Sequence, residues 1–206
     1  MYLLGDPPDY EQPPEKSRGA QARRQRKRPE ELAYDAMLSD DGHGMLYVPF
    51  LNYADGNLDA VHEMLRDPHS VPGLSDGGAH CGIICDASFP TYLLTHWTRD
   101  RKRGEKLSIP FVVAAQSRKT ALSVGLHDRG VIAPGYKADV NVIDYDRLHL
   151  HPLKVHYDLP VGGRRLLQQV DGYDATIVSG VVTQRGGTAT GARPGRLVRG
   201  AQGRLQ

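Results

Sequence analysis

A chain of 206 residues, 39% of them apolar, has the material for one large domain or one and a half ordinary ones. Its 26 Lys plus Arg stand against 24 Asp plus Glu, and a formal charge of +2 makes no demand for a nucleic acid or a membrane surface. Cys81 and Cys85 form neither a Cys-x-x-Cys pair nor a disulfide framework, and no charged leader or long apolar run occurs, so a reducing cytoplasm is the expected setting.

The opening Tyr2-Leu3-Leu4 has room for only a very short strand, and Pro7, Pro8, Pro13 and Pro14 make residues 5–19 a loop. A basic run follows with Arg23, Arg24, Arg26, Lys27 and Arg28. No aromatic residues interleave it, and Glu30, Glu31 and Asp35 come directly after, so a solvated surface is expected rather than a nucleic-acid site. Pro29 to Leu38 spells a helix: proline suits the first turn, Glu30 and Glu31 suit the positive end, and Leu32, Ala33, Ala36 and Met37 share a face. Asp40-Asp41-Gly42 ends it. Met45 to Leu51 predicts a strand whose regular part stops at Pro49. Leu58 to Leu65 has helical spacing and is closed by Asp67-Pro68, and Val71 to Leu74 predicts the next strand. Helix, strand, helix, strand is a parallel α/β pattern.

Beyond a glycine-rich turn, Phe89 to Trp97 begins another helix, with charges taking over from Arg99 to Lys106. Ser108 caps a helix running to Ala115, and Ser117 to Gly125 predicts a short third one. The texture changes near residue 130. Val140 to Asp144 alternates like a half-buried strand, and Ala175–Val178 and Val181–Thr183 flank Ser179-Gly180 as a two-residue hairpin. The glycine-rich end from Gly186 predicts an extended surface tail.

The stretch with most chemistry is Leu74-Ser75-Asp76-Gly77-Gly78-Ala79-His80-Cys81. One reading puts Asp76 at the carboxyl end of a buried strand, where α/β barrels keep their chemistry; the other makes it the cap of a turn over Gly77-Gly78. Tyr47 and Asn52 lie at or just past the end of the preceding strand, on the same rim.

Three stretches carry a family resemblance. They are Leu74 to His80, the long run Thr120 to Asp144, and Thr190 to Arg199. Together they resemble the C-terminal part of the amidohydrolase superfamily, in its N-acyl-D-amino-acid deacylase (D-aminoacylase) branch. The resemblance implies the last two β/α units of a metal-dependent-hydrolase TIM barrel over residues 1–129. Part of a small β-sandwich domain with an extended tail would follow over residues 130–206. It implies hydrolysis of the amide bond of N-acyl-D-amino acids or related non-peptide amides, with zinc as the metal. Asp76 matches the eighth-strand aspartate that moves the proton and touches the metal.

His80, Tyr47 and Asn52 are the candidate substrate contacts. For His80 a structural hydrogen-bonding role is the plainer alternative, and for Tyr47 and Asn52 it is rim packing. Cys81 and Cys85 read as partly buried thiols, since no closed zinc ligand set accompanies them. His149-x-His151 looks metal-like, but Asp146, Arg147 and Lys154 around it predict a solvated loop. Arg118 reads as helix surface, and Gly125, Gly130, Gly135 and Asp139 as scaffold.

Two strands cannot close a barrel, and the family's other metal ligands come from earlier strands. Catalysis is therefore expected only with a complementary N-terminal region. A non-catalytic remnant that self-associates over its exposed sheet edge is the alternative, and a nucleic-acid binder acting through Arg23–Arg28 the most remote. The expected partners are a small N-acyl amino acid and a complementary chain or second copy, with no nucleic acid and no membrane.

Overall fold

The computed structural model describes residues 1–73, 82–83 and 85–200. Strand β1 (Tyr2–Leu3) pairs with β2 (Leu46–Tyr47) in an antiparallel ladder only two residues long, extended by Leu4 N–H donating to Met45 O at 2.9 Å. Between them, Ser17 caps α1 (Arg18–Gln25) by accepting from Ala20 N–H, and Pro29 opens α2 (Pro29–Gly42). The regular part of α2 ends at Leu38, because Ser39 is extended and Asp40 and Asp41 adopt φ of 53°. The acidic stop expected there is present. Helix α3 (Asp59–Arg66) follows.

The strand expected at Val71–Leu74 does not form over its described part. Val71, Pro72 and Gly73 are irregular, in keeping with a proline that offers no N–H and a glycine that offers no side chain to pack. No parallel pair forms among the described residues, where every strand pair is antiparallel.

Helix α4 (Phe89–Thr95) runs on through a wider π turn at His96–Asp100. The two helices expected after Ser108 are one continuous rod. Helix α5 (Ile109–Ala114) passes through a π turn at Ala115–Lys119 into α6 (Thr120–Ser123), and Ser108 Oγ accepts from Phe111 N–H as the cap. Arg118 is a bracket rather than plain surface. Its Nη1 donates to the carbonyls of His127 and Arg129, both at 3.0 Å. Gly130 lies against it with φ of 82°, and a Cβ there would stand 2.7 Å from Arg118 Cα.

The C-terminal strands form a sheet ordered β3 (Val140–Ile143), β6 (Tyr173–Val178), β7 (Val181–Arg185), β8 (Thr188–Ala189). Ser179 and Gly180, with φ of 51° and 80°, make the expected hairpin turn. Asp139 Oδ1 accepts from Ser179 N–H at 2.8 Å, the scaffold role its position predicts. A long hairpin, β4 (His149–Leu159) with β5 (Gly163–Asp171), stands where a solvated loop was expected. Within the tail, β8 is a two-residue strand and exposed.

The core joins these parts. Leu93, Leu94 and Trp97 of α4 and its π turn pack with Leu107, Val112 and Leu148, and Leu58, Val61, Leu65, Ile143, Val170 and Tyr173 close around them. Trp97, Leu148 and Val112 are the largest side chains fully out of water. Arg99 ties the helical end to the β layer by donating to the carbonyls of Tyr145 and Leu148, both at 2.7 Å.

Candidate functional site

Register puts Tyr2 directly opposite Tyr47, and the two rings lie 6.4 Å apart. Tyr47 then meets Tyr10 edge-on at 5.4 Å, and Tyr10 meets Tyr92 edge-on at 5.3 Å. Tyr92 stacks on His96 at 4.6 Å, one helical turn further along α4. A line of aromatic rings thus runs from the short β1–β2 ladder to the π turn.

Burial pushes the Tyr47 hydroxyl up to about 12, and Tyr10, Asp86 and Tyr2 push in the same direction. Tyr10 is also raised to about 12, by burial first, against a hydrogen bond from Gln168 and with the help of Cys85 and Asp86. Both phenols are therefore neutral hydrogen-bonding groups at pH 7, not phenolates. Ser88 Oγ donates to Gln168 Oε1 at 2.5 Å, while Gln168 Nε2 donates to Tyr10 OH at 3.2 Å, so α4 and β5 hold the Tyr10 end of the line together.

Asn52 is exposed on the loop beyond β2 with φ of 59°, a left-handed conformation that asparagine tolerates. The structure thus brings Tyr47, and not Asn52, into a packed constellation. Asp76, His80 and Cys81 lie outside the described residues. Cys85 is half-buried with its Sγ 3.8 Å from Leu166 O, and burial, then Asp86, raises its thiol, which keeps it a poor nucleophile.

Behind the rings is a buried ionic network. The Arg101 side chain has no exposed surface, although it sits in the charged run from Arg99 to Lys106. Its Nε and Nη2 each reach a different Glu11 oxygen at 3.1 Å, Nη2 also meets Asp59 Oδ1 at 2.6 Å, and the guanidinium lies 4.7 Å over the Trp97 ring. Glu11 further accepts from Leu58 N–H at 2.8 Å. Burial raises the Glu11 carboxyl, but the bonds from Arg101 and Leu58 outweigh it and leave it below the ordinary carboxylate range.

His96 Nε2 stands 3.1 Å from Glu11 Oε2, off the angle of a hydrogen bond, so the nitrogen is buried without a partner. Burial and Arg101 lower the imidazole below its usual value against the pull of Glu11, so it is neutral at pH 7. The network clamps residues 9–13 onto α3 and the π turn. Glu11, with two carboxylate oxygens engaged, is a structural anion rather than a base. The sequence holds no local sign of this triad, because Glu11 lies some eighty to ninety residues from His96 and Arg101.

A zinc ion takes three or four His, Cys, Asp or Glu donors. Among the described residues no group of three converges that way. His149 and His151 stand on β4 with their rings 4.9 Å apart, and each faces a carboxylate, Asp6 at 4.0 Å and Asp171 at 2.7 Å. The described residues do not fit a metal site by themselves.

Helices packed against antiparallel sheets through one shared core define a mixed α/β protein. The sequence model of the Amidohydrolase family matches residues 10–184, and the chain belongs to that family of hydrolases. Two curated relatives are 5-methylthioadenosine/S-adenosylhomocysteine deaminases of Desulfitobacterium hafniense, from strain DSM 10664 / DCB-2 and strain Y51. Each is 56% identical over 32 residues, which are 16% of this chain and 7% of the relative's length. No solved structure matches the chain significantly. No helix among the described residues is long and apolar enough to cross a membrane.

Proposed function

We propose that this chain carries part of the active site of a hydrolase that opens the amide bond of N-acyl-D-amino acids or related amides. The observation that carries the reading is the family match over residues 10–184, which includes Asp76. In this reading Asp76 takes the proton of the attacking water and returns it to the leaving nitrogen. Tyr47, a neutral donor, orients the acyl substrate from the flank, with His80 and Asn52 at the mouth.

The barrel and sandwich architecture belongs to the same proposal, with the two β/α units contributed by this chain. Zinc belongs to it too, held by donors beyond the described residues. Phe50, Leu51 and Ile83 are 90%, 80% and 80% exposed, and a complementary chain or second copy would cover them.

The curated match favours a second reading in which the bond cleaved is the C–N bond of an amino-substituted purine. Assay of the assembled protein with N-acetyl-D- and L-amino acids and with adenosine derivatives separates the two. Release of acetate with preference for the D series supports the first, release of ammonia alone supports the second, and neither product removes both.

A further inference from the structure

The loop carrying Pro7 to Pro13 stands off the end of α4 and leaves a cleft of about 750 Å³. That is the size of a site for a small molecule, and Glu11, Tyr92 and His96 are among the residues that line it. Its charge is uneven. Lys16, Lys102, Arg103 and Lys106 all line it, and among the described residues none of the four has a carboxylate partner.

The other charges of the cleft are spoken for. Arg99 pairs with Asp100 at 2.8 Å, and Glu11 is neutralised by the fork of Arg101. Asp9 holds Glu11 N–H through Oδ1 and is the one acid left to oppose four cations, and His149 on the far wall stands 4.0 Å from Asp6. Arg103 is set rather than waving in solvent. Its Nη1 donates to Gly56 O at 2.7 Å and Glu11 O at 3.1 Å and reaches Tyr53 OH at 3.4 Å, which leaves Nη2 and Nε for an incoming acceptor.

A second observation concerns the wall between these cations and the core. Tyr92 lines the cleft, and its OH is shut off from water with no hydrogen-bond partner among the described residues. Buried polar atoms are nearly always satisfied, so an orphaned hydroxyl on this wall marks a place where a partner is wanting. Burial holds the Tyr92 hydroxyl well above its ordinary range, with Glu11, Tyr47, Asp9 and Tyr10 adding, so it stays a donor at neutral pH. A small displacement of the proline loop would expose it to whatever occupies the cleft.

The geometry points to a binding site for a small molecule with a multivalent anionic head, phosphate or carboxylate. Lys102, Lys106, Lys16 and the open edge of Arg103 hold the head, and the Tyr92 hydroxyl meets its polar body. The proposal does not rest on the reading given above.

Titration calorimetry of the full chain with pyrophosphate and, separately, citrate tests it, with sodium chloride at matched ionic strength as the blank. Saturable binding of at least one anion is expected, and which one binds distinguishes a phosphate from a carboxylate ligand. Lys102→Ala with Lys106→Ala should weaken it roughly tenfold or more, and Lys102→Ala alone, an exposed side chain, should weaken it without changing the melting temperature of the unliganded chain. Tyr92→Phe should weaken binding about threefold to tenfold while leaving the unliganded chain as stable or more so, because it deletes an unpaired buried hydroxyl. Arg23→Ala with Lys27→Ala, two cations of the basic run that do not line the cleft, should bind as the parent does. Failure of both anions to bind, or an equal loss in that control pair, overturns the proposal.

Discussion

Arg101 and Glu11 show how a single side chain sets the shape of this molecule. Both are withdrawn from water, and Arg101 supplies the counter-charge of Glu11, so removing Arg101 leaves a buried carboxylate alone. Arg101→Leu should cost about 3–5 kcal/mol, and adding Glu11→Leu should restore a large share of it. Urea denaturation of the parent, the two single variants and the double variant measures this. A second expectation concerns pH. His96 and His62 are both lowered from 6.5 in the folded state, each by burial first, so below that pH the unfolded chain binds more protons and stability falls as the solution is acidified. Glu11, lowered from 4.5, adds a further loss as pH drops through its folded value. Denaturation midpoints between pH 7.5 and 4 should decline throughout, and His62→Gln with His96→Gln should flatten the upper part. A rise in parent stability from pH 7 to 5.5 would contradict this assignment. At this scale Ser108 as a cap and Asp139 as a backbone acceptor were readable, because each acts on residues near it in sequence or on a recognisable turn. The Glu11–Arg101–His96 cluster was not, because a charged run reads as solvated until distant parts of the chain cover it.

Among the elements, glycine positions give the sharpest expectations. Gly130→Ala would force an L side chain into φ of 82° and set its Cβ 2.7 Å from Arg118 Cα. Gly172→Ala, with φ of 98°, would meet Leu148 Cα at the same distance. Each should lose about 1–3 kcal/mol, read as a lower thermal midpoint, whereas Gly195→Ala, which has open space, should lose little. Helix α2 with its acidic stop, the Ser179-Gly180 hairpin and β3 could be read from the sequence, because propensity, spacing and turn chemistry agree there. The β4–β5 hairpin could not. Its pairing shifts register between Leu150 and Leu153, where Pro152 sits, so the alternation of buried and exposed residues is broken where a reader looks for it. A proline among histidines and charges then resembles a loop. The π turns after Thr95 and Ala114 likewise hide that one helix continues, because the extra residue in each turn displaces the 3.6-residue spacing.

Taken whole, the molecule keeps its core between the helices and the sheets and leaves Phe50, Leu51 and Ile83 in water. Phe50→Ser with Leu51→Ser should weaken association with a complementary chain or second copy, seen in sedimentation, while changing the thermal midpoint by no more than a degree or two, since both side chains are already exposed. The resemblance found in the sequence reached the Amidohydrolase family, whose match spans the long Thr120–Asp144 run. It left the chemistry resting on Asp76, and that residue is the place to strike. The most direct measurement is the turnover of the assembled protein on an N-acyl-D-amino acid with Asp76→Asn against the parent, with thermal midpoints matched. A fall of roughly 10²–10⁴-fold is predicted if the carboxylate moves the proton; turnover within about threefold of the parent would contradict it, since that is far smaller than an acid–base contribution.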